Sequence, residues 1–164
     1  MGGRMNTAPL HAYVAAAEPA SGRMGTGIVF TNAQGRPLRK IGRALPEGTN
    51  PGLAAFRGIV HALWNSRRLG CRRVVVHCQD REVVAQINGE DDVAEEYVGP
   101  YLEVRALLHA YRAARVEPGH QGRDDAHWLR VAHELANAAM DCEVDETVED
   151  LPLWSAPVAE RSTA

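Results

Sequence analysis

The chain has 164 residues, 45% of them hydrophobic and 24% charged, with a net charge of −3, which fits one globular domain and excludes disordered and collagen-like classes. No apolar run approaches the roughly 18 residues needed to span a bilayer, so no membrane partner is expected. Cys71, Cys78 and Cys142 form no C-x-x-C pair, so neither a disulfide framework nor a zinc knuckle is signalled, and reduced thiols in a cytoplasmic protein are the expectation.

Near the N-terminus, Arg4 and the Ala-rich stretch 10–17 have the outline of a secretory signal, but His11 and Tyr13 interrupt it, and a buried strand explains it better. Gly22, Gly25 and Gly27 precede a second apolar run, Ile28–Thr31. Asn32–Gly35 is turn chemistry, and Arg36–Ala44 alternates loosely, with Pro37 suited to a strand end. Three strands with two tight connections predict an antiparallel meander.

The period then changes. Asn50 is a good N-cap and Pro51 suits a first helical position. Leu53, Phe56, Val60, Leu63 and Trp64 recur at helical spacing up to Gly70, a stop signal. Arg73–Cys78 reads as a strand buried on both faces. Asp80 caps a second helix ending near Gly89, and an acidic stretch (Glu90, Asp91, Asp92, Glu95, Glu96) follows. Pro100 opens a third helix, Arg115–Glu117 leaves room for a short strand, and Gly119 and Gly122 mark a loop. Asp124 or Asp125 caps a last helix with Trp128, Ala132, Leu135 and Ala139 inward.

From Asp141 onward the pattern dissolves. Residues 143–164 carry six acids against Arg161, a net −5, which leaves +2 on residues 1–142. The expectation is one domain, 1–142, and an acidic, flexible tail, 143–164, with an apolar knot at Leu151–Trp154. Seventeen of the 18 basic residues are Arg, yet a body at +2 lacks the strongly basic balance of a dedicated nucleic-acid binder.

Five segments, in this order, carry a likeness. They are Tyr13-Val-Ala-Ala-Ala with Gly25-Thr-Gly-Ile-Val-Phe; Thr49-Asn-Pro-Gly-Leu-Ala-Ala-Phe-Arg; Val75-Val-His-Cys-Gln-Asp-Arg-Glu-Val-Val-Ala-Gln-Ile-Asn-Gly; Gly119-His-Gln-Gly; and Val131-Ala-His-Glu-Leu-Ala-Asn-Ala-Ala. Together they resemble the ribonuclease H family of type 1 over most of residues 11–141. The resemblance implies an α/β fold, RNase H-like, with a five-stranded mixed sheet flanked by helices. It also implies a site of four carboxylates that hold two divalent cations against the scissile phosphate.

The four acidic positions of that pattern fall on Ala15, Ala55, Gln79 and His133, and none is an acid. Slips to Ala16 or Ala54 restore nothing; only a slip to Asp80 does. Mg²⁺ is held through near-octahedral oxygen ligation, two metals about 4 Å apart share several anionic ligands, and imidazole suits a hard cation poorly. No catalytic residue and no metal is therefore expected at these vestigial positions. His120 matches the family's loop histidine but has nothing to assist. His127 and His133, six apart on a helix, do not face one site. Glu18, Asp80, Asp124, Asp125 and Glu134 lie near enough in sequence to serve as substitute ligands for Mg or Mn, although Asp80 and Asp125 also read as helix caps.

Further departures concern the substrate. The family's paired asparagines fall on Pro51 and Gly52, and the often basic segment after the second helix is acidic here, which repels phosphate. Arg39, Arg43, Arg57, Arg67, Arg68, Arg72 and Arg73 are numerous enough to line a face, with Arg67–Arg73 far from the vestigial site. The expected function is that of a non-catalytic RNase H-like protein, a pseudo-nuclease that binds nucleic acid (RNA–DNA hybrid or duplex) or a protein partner, a second copy included. The alternative is a metal-dependent ribonuclease H with relocated ligands.

Overall fold

The computed structural model describes residues 8–18, 23–119, 123–140 and 146–150. A six-stranded sheet has the order β5-β4-β1-β2-β3-β6. Its strands are β1 (Leu10–Ala17), β2 (Gly25–Thr31), β3 (Pro37–Ala44), β4 (Arg73–Cys78), β5 (Ala113–Pro118) and β6 (Glu146–Asp150). β1, β4 and β5 run parallel, whereas β1, β2, β3 and β6 are mutually antiparallel neighbours. The helices are α1 (Pro51–Arg68), α2 (Arg81–Ile87), α3 (Val98–His109) and α4 (Arg123–Met140), with a single 3₁₀ turn at Glu95–Tyr97 before α3.

The meander forms where the turn chemistry places it. Asn32 Oδ1 accepts from Gln34 N and Arg36 N at 2.9 Å each, and Gly35 supplies φ +81°. α1 starts as its sequence dictates: Asn50 Oδ1 accepts from Leu53 N at 2.8 Å, and Pro51 fills a first-turn position whose N–H has no intrahelical partner. It ends at Gly70, φ +82°. Val74, Val75 and Val76 of β4 are all about 1% exposed or less, as a strand covered on both faces requires.

The larger core lies between the sheet and α1, α2 and α3, around Val14, Ile28, Phe30, Phe56, Ile59 and Val76. The smaller one joins Tyr13, Ala15 and Val29 to Leu129 and Ala132 of α4. On that side the contact is backbone on backbone. A Cβ added at Gly27 would stand 1.8 Å from Ala132 O, at Gly25 2.5 Å from Ala136 O, and at Gly42 2.8 Å from Leu135 O. The Gly-Thr-Gly of β2 thus exists to let α4 lie directly on the sheet.

Several expectations are corrected. The sheet has six strands, not five. The sixth lies in the acidic segment read as a tail, where Glu146–Asp150 pairs antiparallel with Arg39–Arg43. Opposite charges face each other across that edge, and this is what composition alone, which registers only an acidic run, does not reveal. Leu151–Trp154 and the rest of 151–164 lie outside the described residues. α3 begins at Val98, so Pro100 is its third residue rather than its first, still within the turn that tolerates proline. α4 begins at Arg123, so Asp124 and Asp125 sit inside its first turn, where acids suit the helix dipole, instead of capping it. Trp64, counted with the apolar stripe of α1, is 42% exposed.

Candidate functional site

Three of the four vestigial positions, Ala15, Ala55 and Gln79, converge on a hollow of about 340 Å³ at the C-terminal ends of β1 and β4 and the start of α1. In the parallel pairing, Val14 lies beside Cys78, and Gln79 N extends it by donating to Val14 O at 3.2 Å. Ala15 and Gln79 are thereby brought together, and α1 lowers Ala55 onto the same space. Ala15 and Ala55 are 1% and 3% exposed. Met24 and Cys78 complete an apolar lining, and burial pushes the Cys78 thiol up to about 12.

Two carboxylates reach this hollow, Glu18 from the end of β1 and Asp80 from the start of α2. Asp80 is engaged: its Oδ1 accepts from Val83 N at 3.1 Å and caps α2. His133 is not among the lining residues; its Nδ1 lies 3.3 Å from Asn137 Nδ2 on α4. Glu134 is exposed on the same helix. His127 is exposed beside Arg130 and Trp128. His120 and the Asp124 side chain lie outside the described residues.

Two divalent cations need a set of anionic oxygens. Two methyl groups and a neutral amide provide none, and the remaining pair of carboxylates includes one already bound to a helix N-terminus. The residues present do not fit the two-metal group that the resemblance implies. Among the described residues, no group of three or more His, Cys, Asp or Glu side chains is placed to hold a metal ion.

Asp125 is brought to a different place. It contacts His77, with Oδ2 3.3 Å from Nδ1, on the α4 side of the sheet. His77 Nε2 lies 2.9 Å from His11 Nδ1, its ring stacks on Tyr13 at 4.6 Å between centroids, and Glu117 Oε1 lies 4.0 Å from its Nδ1. Burial lowers the pKa of both histidines, and Asp125 opposes the shift. This cluster escapes a sequence reading because it depends on register. His11 and Tyr13 share a strand face by alternation, but only the Tyr13–His77 pairing of β1 with β4 brings in the second ring.

Tyr97 braces the start of α1. Its hydroxyl donates to Asn50 Oδ1 at 3.0 Å, and the phenol packs where a side chain at Gly52 would stand, 2.3 Å from a Cβ there. Gly52, the second residue of α1, is thereby covered by the Tyr97 ring.

Residues 13–139 match the family model described as "Reverse transcriptase-like". No curated protein matches the chain. Among solved structures, the chain is similar to ribonuclease H1 from the halophilic archaeon Halobacterium salinarum NRC-1 at 22% identity, covering 81% of this chain and 98% of that one, with a TM-score of 0.70. It is similar to the N-terminal ribonuclease H domain of rv2228c from Mycobacterium tuberculosis at 22% identity, covering 96% and 100%, TM-score 0.70. A third likeness, at 22% identity over 80% and 96% with TM-score 0.69, is to LC11-RNase H1 in complex with an RNA/DNA hybrid. At these identities the likeness establishes an RNase H-like fold.

Proposed function

The chain belongs to the reverse transcriptase-like family, and on that premise we propose that it is a non-catalytic RNase H-like module that binds nucleic acid, with an RNA–DNA hybrid as its ligand class. The observation that carries this reading is that Ala15, Ala55 and Gln79 stand together in the hollow where the family pattern has acids. With those three acids gone and Asp80 held at the start of α2, too few anionic oxygens remain to anchor the cations that generate a nucleophile and neutralise a leaving oxygen. The same loss reduces, to Glu18 and Asp80, the repulsion that makes an acidic site need metal before it tolerates a phosphate. A relative of the same fold is seen in complex with an RNA/DNA hybrid, which supports the choice of ligand.

The test is a gel shift of a labelled RNA–DNA hybrid in EDTA across a salt series. Phosphate contacts make the affinity fall steeply as salt rises. Absence of a shift at low salt contradicts the nucleic-acid reading and leaves a protein partner.

One observation favours a second reading. Glu18 and Asp80 line the same hollow, the geometry that a ribonuclease with relocated Mg or Mn ligands would use. Hybrid cleavage in Mn²⁺ that is lost in both Glu18→Gln and Asp80→Asn supports that reading.

A further inference from the structure

The arginines that the hollow does not use converge elsewhere. On α1, Arg57, His61, Trp64 and Arg68 recur at spacings of four, three and four, one stripe of a helix. Arg43 of β3 faces this stripe across two abutting hollows of about 620 and 540 Å³, which share Arg43, His61 and Trp64. Neither hollow shares a lining residue with that at Ala15. Trp64 is 42% exposed, and the Arg67 guanidinium lies 5.7 Å from its ring centroid.

Beside this corner lies β6, and its carboxylates are distributed with purpose. Register sets Asp150 against Arg39, Glu149 against Lys40 and Glu146 against Arg43. Arg39 pairs with Asp150 and also donates to Asn65 Oδ1 of α1 at 3.2 Å. Glu146 Oε2 lies 2.9 Å from His61 Nε2, within the smaller hollow. Four of the five β6 residues are exposed. The strand is short, and its side-chain ties are rim charge pairs, which hold weakly.

We propose that the β3–α1 corner is a binding surface for single-stranded nucleic acid, with a base stacked on Trp64 and phosphates on Arg43, Arg57 and Arg68, and that the acidic strand β6 competes for it. An exposed aromatic platform flanked by guanidiniums is the chemistry that takes a single strand without reading its sequence. Glu146 stands where a phosphate would sit, between Arg43 and His61. Glu47 and Glu103 line the larger hollow too, so cations prevail only around Trp64, and the footprint centres there. The surface is distinct from the hollow proposed to take a hybrid, and the two readings fail separately.

The full chain is titrated by fluorescence anisotropy with a labelled oligothymidylate. The expected results are binding by the unaltered protein, about tenfold weaker binding by Trp64→Ala with most of it kept by Trp64→Phe, and a flatter salt dependence in Arg57→Gln/Arg68→Gln. Glu146→Gln/Glu149→Gln/Asp150→Asn tightens binding about tenfold. Glu90→Gln/Asp91→Asn/Asp92→Asn, which changes net charge equally, leaves it within about twofold. Binding by neither the unaltered protein nor the β6 variant, unchanged affinity in Trp64→Ala, or equal tightening by both triple variants overturns the proposal. A hybrid shift without oligothymidylate binding overturns this proposal alone; oligothymidylate binding without a hybrid shift overturns only the hybrid reading.

Discussion

His11 Nδ1 and His77 Nε2 lie 2.9 Å apart on adjacent parallel strands, so the N–H of one ring donates to the bare nitrogen of the other. Both pKa values are lowered, first by burial, and His77 also by the proximity of His11. Asp125 and Glu117 pull them up and Arg115 pushes them down. The folded state therefore binds protons less readily than the unfolded chain, whose imidazoles titrate near 6.5. Their contribution to stability is complete above about pH 6.5 and is lost as the pH falls below it toward the lowered folded values. Chemical denaturation between pH 7.5 and 5 is expected to show that loss, and His11→Gln/His77→Gln to flatten the slope in the same window.

The packing of α4 on bare backbone predicts a sharp contrast between glycines. Gly27→Ala drives a Cβ into Ala132 O, with no flexible side chain to yield, and is expected to cost about 3 kcal/mol or more. Gly35→Ala meets nothing within 4 Å, and its cost is that of φ +81° alone, about 1 kcal/mol. Urea unfolding of the two variants measures the difference.

Much of this was legible in the sequence. Asn50, Pro51, Gly70 and Asp80 each mark a helix end by local chemistry, and the valine run 74–76 marks a strand buried on both faces. What stayed hidden depends on partners distant in the chain. β6 becomes a strand because Arg39, Lys40 and Arg43 wait opposite its acids. Asp125 turns to His77 rather than to a helix cap because α4 begins two residues earlier. Trp64 satisfies helical spacing yet faces outward, since a period gives the face but not what covers it. The segments that carry the likeness point to Ala15, Ala55 and Gln79, but that His133 stays off the hollow is a matter of three-dimensional packing that its place in the chain does not give.

The capping residues give a further prediction. Asp80→Ala removes the acceptor for Val83 N and is expected to destabilise by about 1 kcal/mol. Asn50→Ala is expected to cost more, because Asn50 Oδ1 also accepts from the Tyr97 hydroxyl. Thermal melts of the two variants check the order. If the hollow works as proposed, Asp80→Ala leaves hybrid affinity in EDTA undiminished.

Cys78 offers a probe of the hollow's floor. Its thiol is buried and pushed up to about 12, and the Cys71 thiol is raised as well. Only thiolate reacts. Iodoacetamide at pH 8 is expected to leave Cys78 unmodified in the native protein and to modify it fully in urea, read by peptide mass spectrometry.

The proposed function is to hold nucleic acid without the metal chemistry of the fold's nucleases. Incubating a labelled RNA–DNA hybrid with the protein in Mg²⁺ or Mn²⁺, with and without EDTA, tests it most directly. An intact hybrid throughout and a complex that survives chelation are expected. Scission that EDTA abolishes would contradict it.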